Sequence, residues 1–460
     1  MVYLGMLMTT DEGGIFSPND AISEANMQKR PSRTIDWNPT IKHTFSLTIP
    51  PTVYPPREDT NLIAKRLIQL GPGRGRKFLE IGCGSGALCL IAASLGWNVH
   101  ACDINPFAVA ATRGNLEVNM QSGTVKEGGV GPEGFPFEGK FDLIIWNLPY
   151  IPAEEVSEVL GPMEEAALVD TDVIGLPHRF TSMTSKCDLL ATNGKILLLS
   201  RSGAISSSGD FALRKWDSIT FEDGEELVLY CLWKPYEMAE KIFVEQTGST
   251  NDDLLIKSGI GTHIYTPLQT SGKGRRNRKW ESIERCYAGS WIVAEGSRIN
   301  PGLIQLAGGL AVLNTVGNSK LKLKWPNDIL IEDRKLCGIL VEGRTSQNST
   351  TAVIGIGINL ETENHTIDGN KISTLSEIGE FDLHELDRRL NCELASLLEE
   401  RQDIPPIDFE SIRSDVLNHI RLFGKPRYKG VVYDKFDLND KGELVFDSII
   451  IDDGEEVDWI

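Results

Sequence analysis

From residue 78 onward the hydrophobic positions fall in short unbroken runs, separated by stretches with helical spacing. Phe78–Ile81 predicts a strand, Ala87–Leu95 a helix, Asn98–Asp103 a strand and Pro106–Asn119 a helix. Phe141–Trp146, Lys195–Ser200 and Glu225–Trp233 read as further apolar strands. Wholly apolar strands alternating with helices indicate a parallel, doubly wound sheet covered on both faces. Ahead of this pattern, the first 45 or so residues mix Pro, Ser, Asn and charges without a period, and read as a loose arm or partial cover. Between Gly123 and Gly139 there are six glycines in 17 residues, which reads as a surface loop. The first pattern stops near Pro235–Ala239, and a second begins with Lys241–Glu245. Beyond Gly424 the runs Gly430–Tyr433, Glu443–Phe446 and Ile449–Ile451 suggest a small β-barrel. The expected organisation is an arm over 1–44, an α/β domain over 45–237, a second domain over 238–423 and a small C-terminal domain over 424–460. No internal repeat of fixed period is visible.

Composition narrows the classes without changing this outline. The 460 residues carry 46 Lys+Arg against 65 Asp+Glu, a formal charge of −19. The acidity is shared, with a net of −8 over residues 1–235 and −11 over 236–460. Neither half offers the basic field that a non-specific phosphate-backbone binder needs. Small molecules and proteins are therefore the favoured substrates. The eight cysteines, at 83, 89, 102, 187, 231, 286, 337 and 392, form no CxxC pair. That argues against a zinc ribbon or a thioredoxin-type motif, and for reduced, buried thiols in a cytoplasmic protein. No stretch approaches 18 apolar residues, so no membrane span is predicted, and the N-terminus lacks the pattern of a secretory signal.

The chemistry of the first half gathers at strand ends. Glu80-Ile-Gly-Cys-Gly-Ser-Gly86 follows a strand and opens a helix, and its glycines let the backbone turn sharply against a ligand. Asp103 ends the next strand, where a carboxylate accepts hydrogen bonds from ribose hydroxyls. Asn147-Leu-Pro-Tyr150 directly follows the strand Phe141–Trp146. An Asn oxygen and a neighbouring carbonyl there can accept from an NH2 group and turn its lone pair toward an electrophilic methyl, while Tyr150 walls in a planar amide or base. Methyl transfer to a nitrogen held in this way is chiefly a matter of proximity, worth about 7–11 kcal/mol of the barrier.

These segments, with Val53-Tyr-Pro-Pro-Arg-Glu-Asp-Thr60, resemble class I S-adenosylmethionine (SAM)-dependent methyltransferases, and among them the HemK-like glutamine N5-methyltransferases that modify release factors. The resemblance covers about residues 45–235 and implies a Rossmann-like domain. It implies that Asp59, Thr60, Glu80, Gly82, Gly84, Asp103 and Asn147 line the methyl-donor site, and that Asn147, Pro149 and Tyr150 hold the acceptor amide. A peptide-release factor is the implied partner, with a small zinc-binding activator protein as a further partner of this branch. The family usually has Asn-Pro-Pro-Tyr, whereas Leu148 gives a motif that also looks like that of rRNA adenine dimethyltransferases. The YPPREDT segment and the acidic residues Glu154, Glu155, Glu158, Glu164 and Glu165 favour the glutamine branch over RNA adenine. A methyltransferase fold acting only as a scaffold is the remaining alternative.

The second half carries three clusters in sequence order. Gly248-Ser-Thr-Asn251 is a polar turn, which on its own reads most simply as a helix cap. Gln269-Thr-Ser-Gly-Lys-Gly-Arg-Arg-Asn-Arg-Lys-Trp280 places five basic residues and two glycines between Gly272 and Trp280, inside an acidic domain. Exposed amides and guanidinium forks suit a polyphosphate. Lys324-Trp-Pro-Asn-Asp328 sets a cation at the end of an apolar strand, where it can stabilise charge developing at phosphorus. Lys335–Glu342 follows, and Gly355-Ile-Gly-Ile-Asn359 then lies in another apolar strand.

Together these clusters resemble the catalytic domain of biotin–protein ligases over about residues 241–460. The resemblance implies an α+β domain followed by a small SH3-like β-barrel. Its reaction would be attack of the biotin carboxylate on the α-phosphate of ATP, with Mg2+ shielding the phosphates, and transfer of biotin to a lysine of a biotin carboxyl carrier protein domain. By the same resemblance Ser249, Thr250, Asn251 and Gln269 contact biotin. Gly272, Lys273, Gly274 and Arg275 belong to the adenylate loop, and Lys324 is the main catalytic cation. Asn327 and Asp328 lie near ATP and its metal, none of it tightly bound by protein ligands alone, while Gly338 and Asn359 border the adenylate. Lys273 stands where the family most often has Arg, and Asn277 where it often has Gly; the stretch after Trp280 matches less well. Lipoate–protein ligases share the fold but lack the basic loop and the Lys-Trp-Pro-Asn-Asp run. Many bacterial relatives carry a DNA-binding winged helix at the N-terminus. A methyltransferase stands in that place here, so binding of operator DNA is not expected. A homodimer is one assembly the resemblance allows.

Overall fold

Wholly apolar strands need cover on both faces, and the first half supplies it with flanking helices. The chain is described here by a computed structural model covering residues 30–131, 134–152, 169–170, 172, 174–206, 209–297, 299–346, 349–363, 365–367 and 369–460. It divides into two units, 1–208 with 213–233, and 209–212 with 234–460.

In the first unit, strands β1 (Arg33–Thr40) and β2 (His43–Ile49) form an antiparallel hairpin pairing Trp37 with Phe45. They are followed by α1 (Glu58–Gln69), β3 (Lys77–Ile81), α2 (Ala87–Ser94), β4 (Asn98–Asp103), α3 (Pro106–Val118), β5 (Thr124–Glu127) and β6 (Phe141–Asn147). Helix α4 (Leu176–Lys186) leads to β7 (Leu190–Arg201), β8 (Ala212–Thr220) and β9 (Glu226–Trp233). The sheet order is β8-β9-β7-β6-β3-β4-β5. Strands β7, β6, β3, β4 and β5 are parallel, as the sequence pattern predicts. Strand β9, however, is antiparallel to β7, so the sheet is mixed. Only Phe221–Glu225 joins β8 to β9, around Gly224 at φ 89°, too short for the roughly a dozen residues of a parallel crossover, so these two neighbours enter the edge of the sheet as a hairpin.

Two further segments are more ordered than a loose arm or a surface loop. Residues 33–44, within the stretch read as a loose arm or partial cover, belong to the β1–β2 hairpin, which covers α3 through side-chain amides. Asn115 accepts from the Thr48 N–H (2.8 Å) and donates to the Thr48 carbonyl (3.0 Å), and Asn119 does the same with Ser46 (3.0 and 2.8 Å). The remainder of the arm, residues 1–29, lies outside the described residues. The Gly-rich stretch is not simply a surface loop, because Thr124–Glu127 joins the sheet as β5.

The second unit is built on a seven-stranded sheet ordered β10-β11-β12-β16-β15-β14-β13. These are Lys241–Phe243, His263–Thr266, Arg285–Gly296, Ser349–Glu361, Arg334–Ser346, Asp328–Ile331 and Leu321–Lys324, in that spatial order. Every pair is antiparallel except β10 with β11. Helix α5 (Thr250–Leu255) sits at the start of the unit. Helix α6 (Pro301–Val316) is apolar nearly all round and correspondingly buried. Helices α7 (Leu383–Leu398) and α8 (Phe409–Phe423) are amphipathic and complete the cover. The C-terminal runs form two three-stranded antiparallel sheets, Val431–Val432 with Pro426–Tyr428 and Val457–Trp459, and Asp437–Leu438 with Leu444–Phe446 and Ile449–Ile451. All eight cysteines are free, and seven are buried, but Cys187 is exposed.

Candidate functional sites

In the first unit β3, β4 and β6 end together, and a cavity of about 490 Å3 opens at their C-terminal edge, where open α/β sheets bind ligands. Its floor is the turn after β3. Gly82, Gly84 and Gly86 have φ of 65°, 52° and 77°, a left-handed course that side chains resist. Asp103 braces this turn by accepting from the N–H groups of Gly84 and Asn105, both at 2.9 Å. Burial pushes the Asp103 carboxyl up, against the lowering effect of those two N–H groups. Glu80 is more extreme: burial pushes it up to about 8, and the Cys89 thiol donates to it at 2.9 Å.

The opposite wall comes from the end of β6 and the start of α1. The Asn147 Nδ2 donates to Asp59 Oδ2 at 2.9 Å, and its Oδ1 is buried with no hydrogen-bond partner among the described residues. Pro149 and Tyr150 continue this wall. Burial, and then the negative charge of Asp59, push the Tyr150 hydroxyl up to about 12, and the same two causes raise Tyr54. Asp59, Thr60, Glu80, Gly82, Gly84, Asp103, Asn147, Pro149 and Tyr150 are thus brought around one cavity. Gly128–Gly131 also line it, and sequence reasoning missed them. The signal was their place immediately after β5, but only one residue of that strand is buried, so no apolar run marked it. The acidic residues Glu154, Glu155, Glu158, Glu164 and Glu165 lie outside the described residues.

In the second unit a cavity of about 240 Å3 is built on a patch without Cβ atoms. Gly338 of β15 pairs directly with Gly357 of β16, and the Trp280 ring lies over both. A Cβ on Gly357 would stand 2.7 Å from that ring, and one on Gly338 3.0 Å. The buried Trp280 Nε1 has no hydrogen-bond partner among the described residues, which leaves it a donor for a ligand acceptor. Asn251 packs on Gly355 so closely that any Cβ there would strike its Oδ1. It is fixed by Ser290 Oγ, which donates to Oδ1 at 2.6 Å, and by its own donation to Glu342 at 2.7 Å. Gln269 Oε1 accepts from the Thr250 N–H (2.8 Å) and hydroxyl (3.0 Å). Ser249 does cap α5, as the simpler reading had it, and also faces the cavity.

The basic loop borders the same space. Lys273 pairs with Asp252, Arg276 with Asp453 and Glu455, and Arg278 with Glu455. Desolvation holds the Arg275 guanidinium below its usual value. Lys324 ends β13 on the cavity wall and makes no ion pair among the described residues. Asp328 is engaged by Lys335 at 2.7 Å. Among the described residues no three His, Cys, Asp or Glu side chains gather as metal ligands. Ser249, Thr250, Asn251, Gln269, Lys273, Gly274, Arg275, Lys324, Asn327, Asp328 and Gly338 all line the cavity. Gly272 and Asn359 do not. Gly272 stands behind the loop, paired with Trp280. The Asn359 amide is buried and donates to the carbonyls of Lys335 (3.3 Å) and Ser373 (3.1 Å), a structural use of that side chain. The acidic turn Asp453–Glu455 was not foreseen, since short acidic runs are common in this chain.

Comparison with known proteins follows the same division. Residues 246–359 match the Biotin/lipoate A/B protein ligase family, and residues 60–163 match Ribosomal protein L11 methyltransferase (PrmA). The biotin–[acetyl-CoA-carboxylase] ligase of Mycobacterium tuberculosis is 30% identical over 239 residues, 46% of this chain and 87% of that protein. The bifunctional ligase/repressor BirA of Escherichia coli is 36% identical over 174 residues, and the match spans 34% of this chain and 54% of BirA. A Methanocaldococcus jannaschii protein, provisionally named a protein N5-glutamine methyltransferase, is 33% identical over 119 residues, 25% of this chain and 56% of its own length. Among solved structures, the biotin protein ligase from Aquifex aeolicus in complex with biotin and ATP matches 48% of this chain and 95% of its own, at 24% identity and a TM-score of 0.36.

Proposed function

The chain belongs, through its second half, to the biotin–protein ligase family and carries a methyltransferase-like region ahead of it, and on that footing we propose that one polypeptide performs both reactions. The second unit joins biotin to a lysine of a carboxyl carrier protein domain at the expense of ATP. The observation that carries this is the cavity walled by Asn251, Gln269 and the Trp280 ring seated on Gly338 and Gly357, beside the basic loop and Lys324, which makes no ion pair among the described residues. Ser249, Thr250, Asn251 and Gln269 hold the biotin head group. Arg275 and the Gly274 backbone close on the phosphate, and Lys324 stabilises the negative charge that builds as the biotin carboxylate displaces pyrophosphate. Mg2+ fits as a companion of the ATP phosphates, with Asp328 on the wall nearby.

The first unit methylates the side-chain nitrogen of a protein glutamine. The carrying observation is the buried Oδ1 of Asn147 on the cavity wall, which has no hydrogen-bond partner among the described residues. SAM, when bound, supplies an electrophilic methyl. The Gly82–Gly86 turn cradles it, Asp103 accepts from its hydroxyls, and Asn147 accepts from the NH2 group of the acceptor and aims its lone pair. A release factor is the proposed acceptor, alone or with a small zinc-binding activator, and the cytoplasm the proposed compartment. Among the described residues no helix is long and apolar enough to cross a membrane.

The purified chain with biotin, ATP and a carrier domain is expected to biotinylate it, and Lys324→Ala to lose that activity; biotinylation unchanged in the variant refutes the assignment of Lys324. With methyl-labelled SAM, label should appear on a release factor and vanish in Asn147→Ala. Label on ribosomal RNA instead would move the first unit to the adenine branch that Leu148 also suggests. Failure to bind SAM at all would leave it a scaffold.

A further inference from the structure

The side chain of Asn147 has two chemically opposite ends, and only one suits an NH2-bearing acceptor. Its Nδ2 points at Asp59, 2.9 Å from Oδ2, and its Oδ1 is buried with no partner among the described residues. Asp59 is itself 3% exposed. Its Oδ1 accepts from the Thr60 N–H (2.6 Å) and, at 3.2 Å, from the Thr60 hydroxyl. A carboxylate has about four acceptor positions and no donor. Three of those of Asp59 are taken up by Thr60 and Asn147, all groups of this chain, and the Oδ2 that faces Asn147 accepts from it.

As a group that only accepts, Asp59 has a consequence for Asn147. Facing a carboxylate, Asn147 can present only its NH2 end, so its oxygen is forced to the other side. Without that constraint the amide could turn over and set NH2 against NH2, leaving the acceptor nitrogen unheld. We propose that Asp59 is a positioning residue for methyl transfer: it fixes the orientation of the Asn147 amide so that the oxygen is the end that meets the acceptor. This rests on the reading that the first unit methylates an NH2-bearing nitrogen, and it gives Asp59 a part on the acceptor side of the site.

The test exchanges the donor and acceptor roles. Full-length wild type, Asp59→Asn, Asn147→Asp and the double variant are assayed with methyl-labelled SAM on a release factor and on ribosomal RNA. Calorimetric titration with S-adenosylhomocysteine and thermal melts between pH 5 and 8 accompany the assay. Asp59→Asn, which lets the Asn147 amide turn over, should lower kcat by about 10²-fold while product affinity holds within about twofold. Asn147→Asp, with two carboxylates face to face, should be inactive, and its melting temperature should fall as pH rises. In the double variant the amide introduced at position 59 donates to the carboxylate introduced at position 147, whose other oxygen again faces the acceptor. Activity should then recover at least about tenfold over Asn147→Asp, and the melting temperature should rise with it. Wild-type kcat in Asp59→Asn, loss of S-adenosylhomocysteine binding in that variant, or no gain in the double variant would overturn the inference. Should wild type label neither acceptor, the methyltransferase reading falls, and the melts alone decide: rescue by the second substitution upholds the pairing, while additive losses overturn it.

Discussion

Glu80 carries its burial into the pH dependence of the fold. Its carboxyl is pushed up to about 8 from an ordinary value of 4.5, so between those values the folded state keeps a proton that the unfolded chain gives up. Stability from this group is complete below about pH 4.5 and is lost as pH rises through about 8. The first unit should therefore melt at a lower temperature at pH 8 than at pH 5, a loss on the order of a few kcal/mol. Glu80→Gln should flatten that profile, and a slope unchanged in the variant would show that another group is responsible. A second consequence at this scale concerns Gly355. Any side chain there strikes Asn251, which is held at 2.6 Å by Ser290 and 2.7 Å by Glu342. Gly355→Ala should break that arrangement and raise KM for biotin by about tenfold, with a smaller effect on KM for ATP. Equal effects on both would argue against a local cause.

At the scale of elements, the basic loop meets the C-terminal turn Asp453–Glu455 through Arg276 and Arg278. Arg276 is 52% and Glu455 48% exposed, so such pairs contribute under about 1 kcal/mol each and are screened by salt. Asp453→Asn should raise KM for ATP by up to about fivefold at low ionic strength, and the difference should close near 1 M salt; a defect that persists in salt would mean the turn acts by shape. Helix α6 meets the same C-terminal segment at Gly302, where a Cβ would collide with the Lys441 carbonyl. Gly302→Ala should cost about 1–3 kcal/mol, read from chemical denaturation. What could be foreseen at this scale follows a physical divide. Asn147 and Asp103 could be placed from sequence because each ends a strand of mostly buried residues, and Lys324 because it ends a strand whose alternate residues Leu321 and Leu323 are buried. Gly128–Gly131 and Asp453–Glu455 could not, because the short strand before the first barely buries anything and the second is brought to the cavity by packing distant in sequence. Asn359 was misread for a related reason. A carboxamide in a strand serves a ligand or a neighbouring backbone equally well, and only the carbonyls of Lys335 and Ser373 decide which.

For the whole molecule, each unit has its own sheet, its own helical cover and its own ligand cavity. Calorimetry should resolve two unfolding transitions, one raised by S-adenosylhomocysteine and the other by biotin with ATP. A ligand at about 100 times its Kd adds about 2.7 kcal/mol to the unit that binds it. A single transition raised by either ligand would mean the two units unfold as one.

The cysteines turn this division into a clock. Cys187 alone is exposed, so a brief pulse of an alkylating reagent on the native chain should mark one position. Cys83, Cys89, Cys102 and Cys231 are buried in the first unit, and Cys286, Cys337 and Cys392 in the second. Each of these acquires a label only during the moments when its surroundings come apart. Mass spectrometry of such pulses would time the opening of both cores in one experiment, on the unaltered chain and without an added probe.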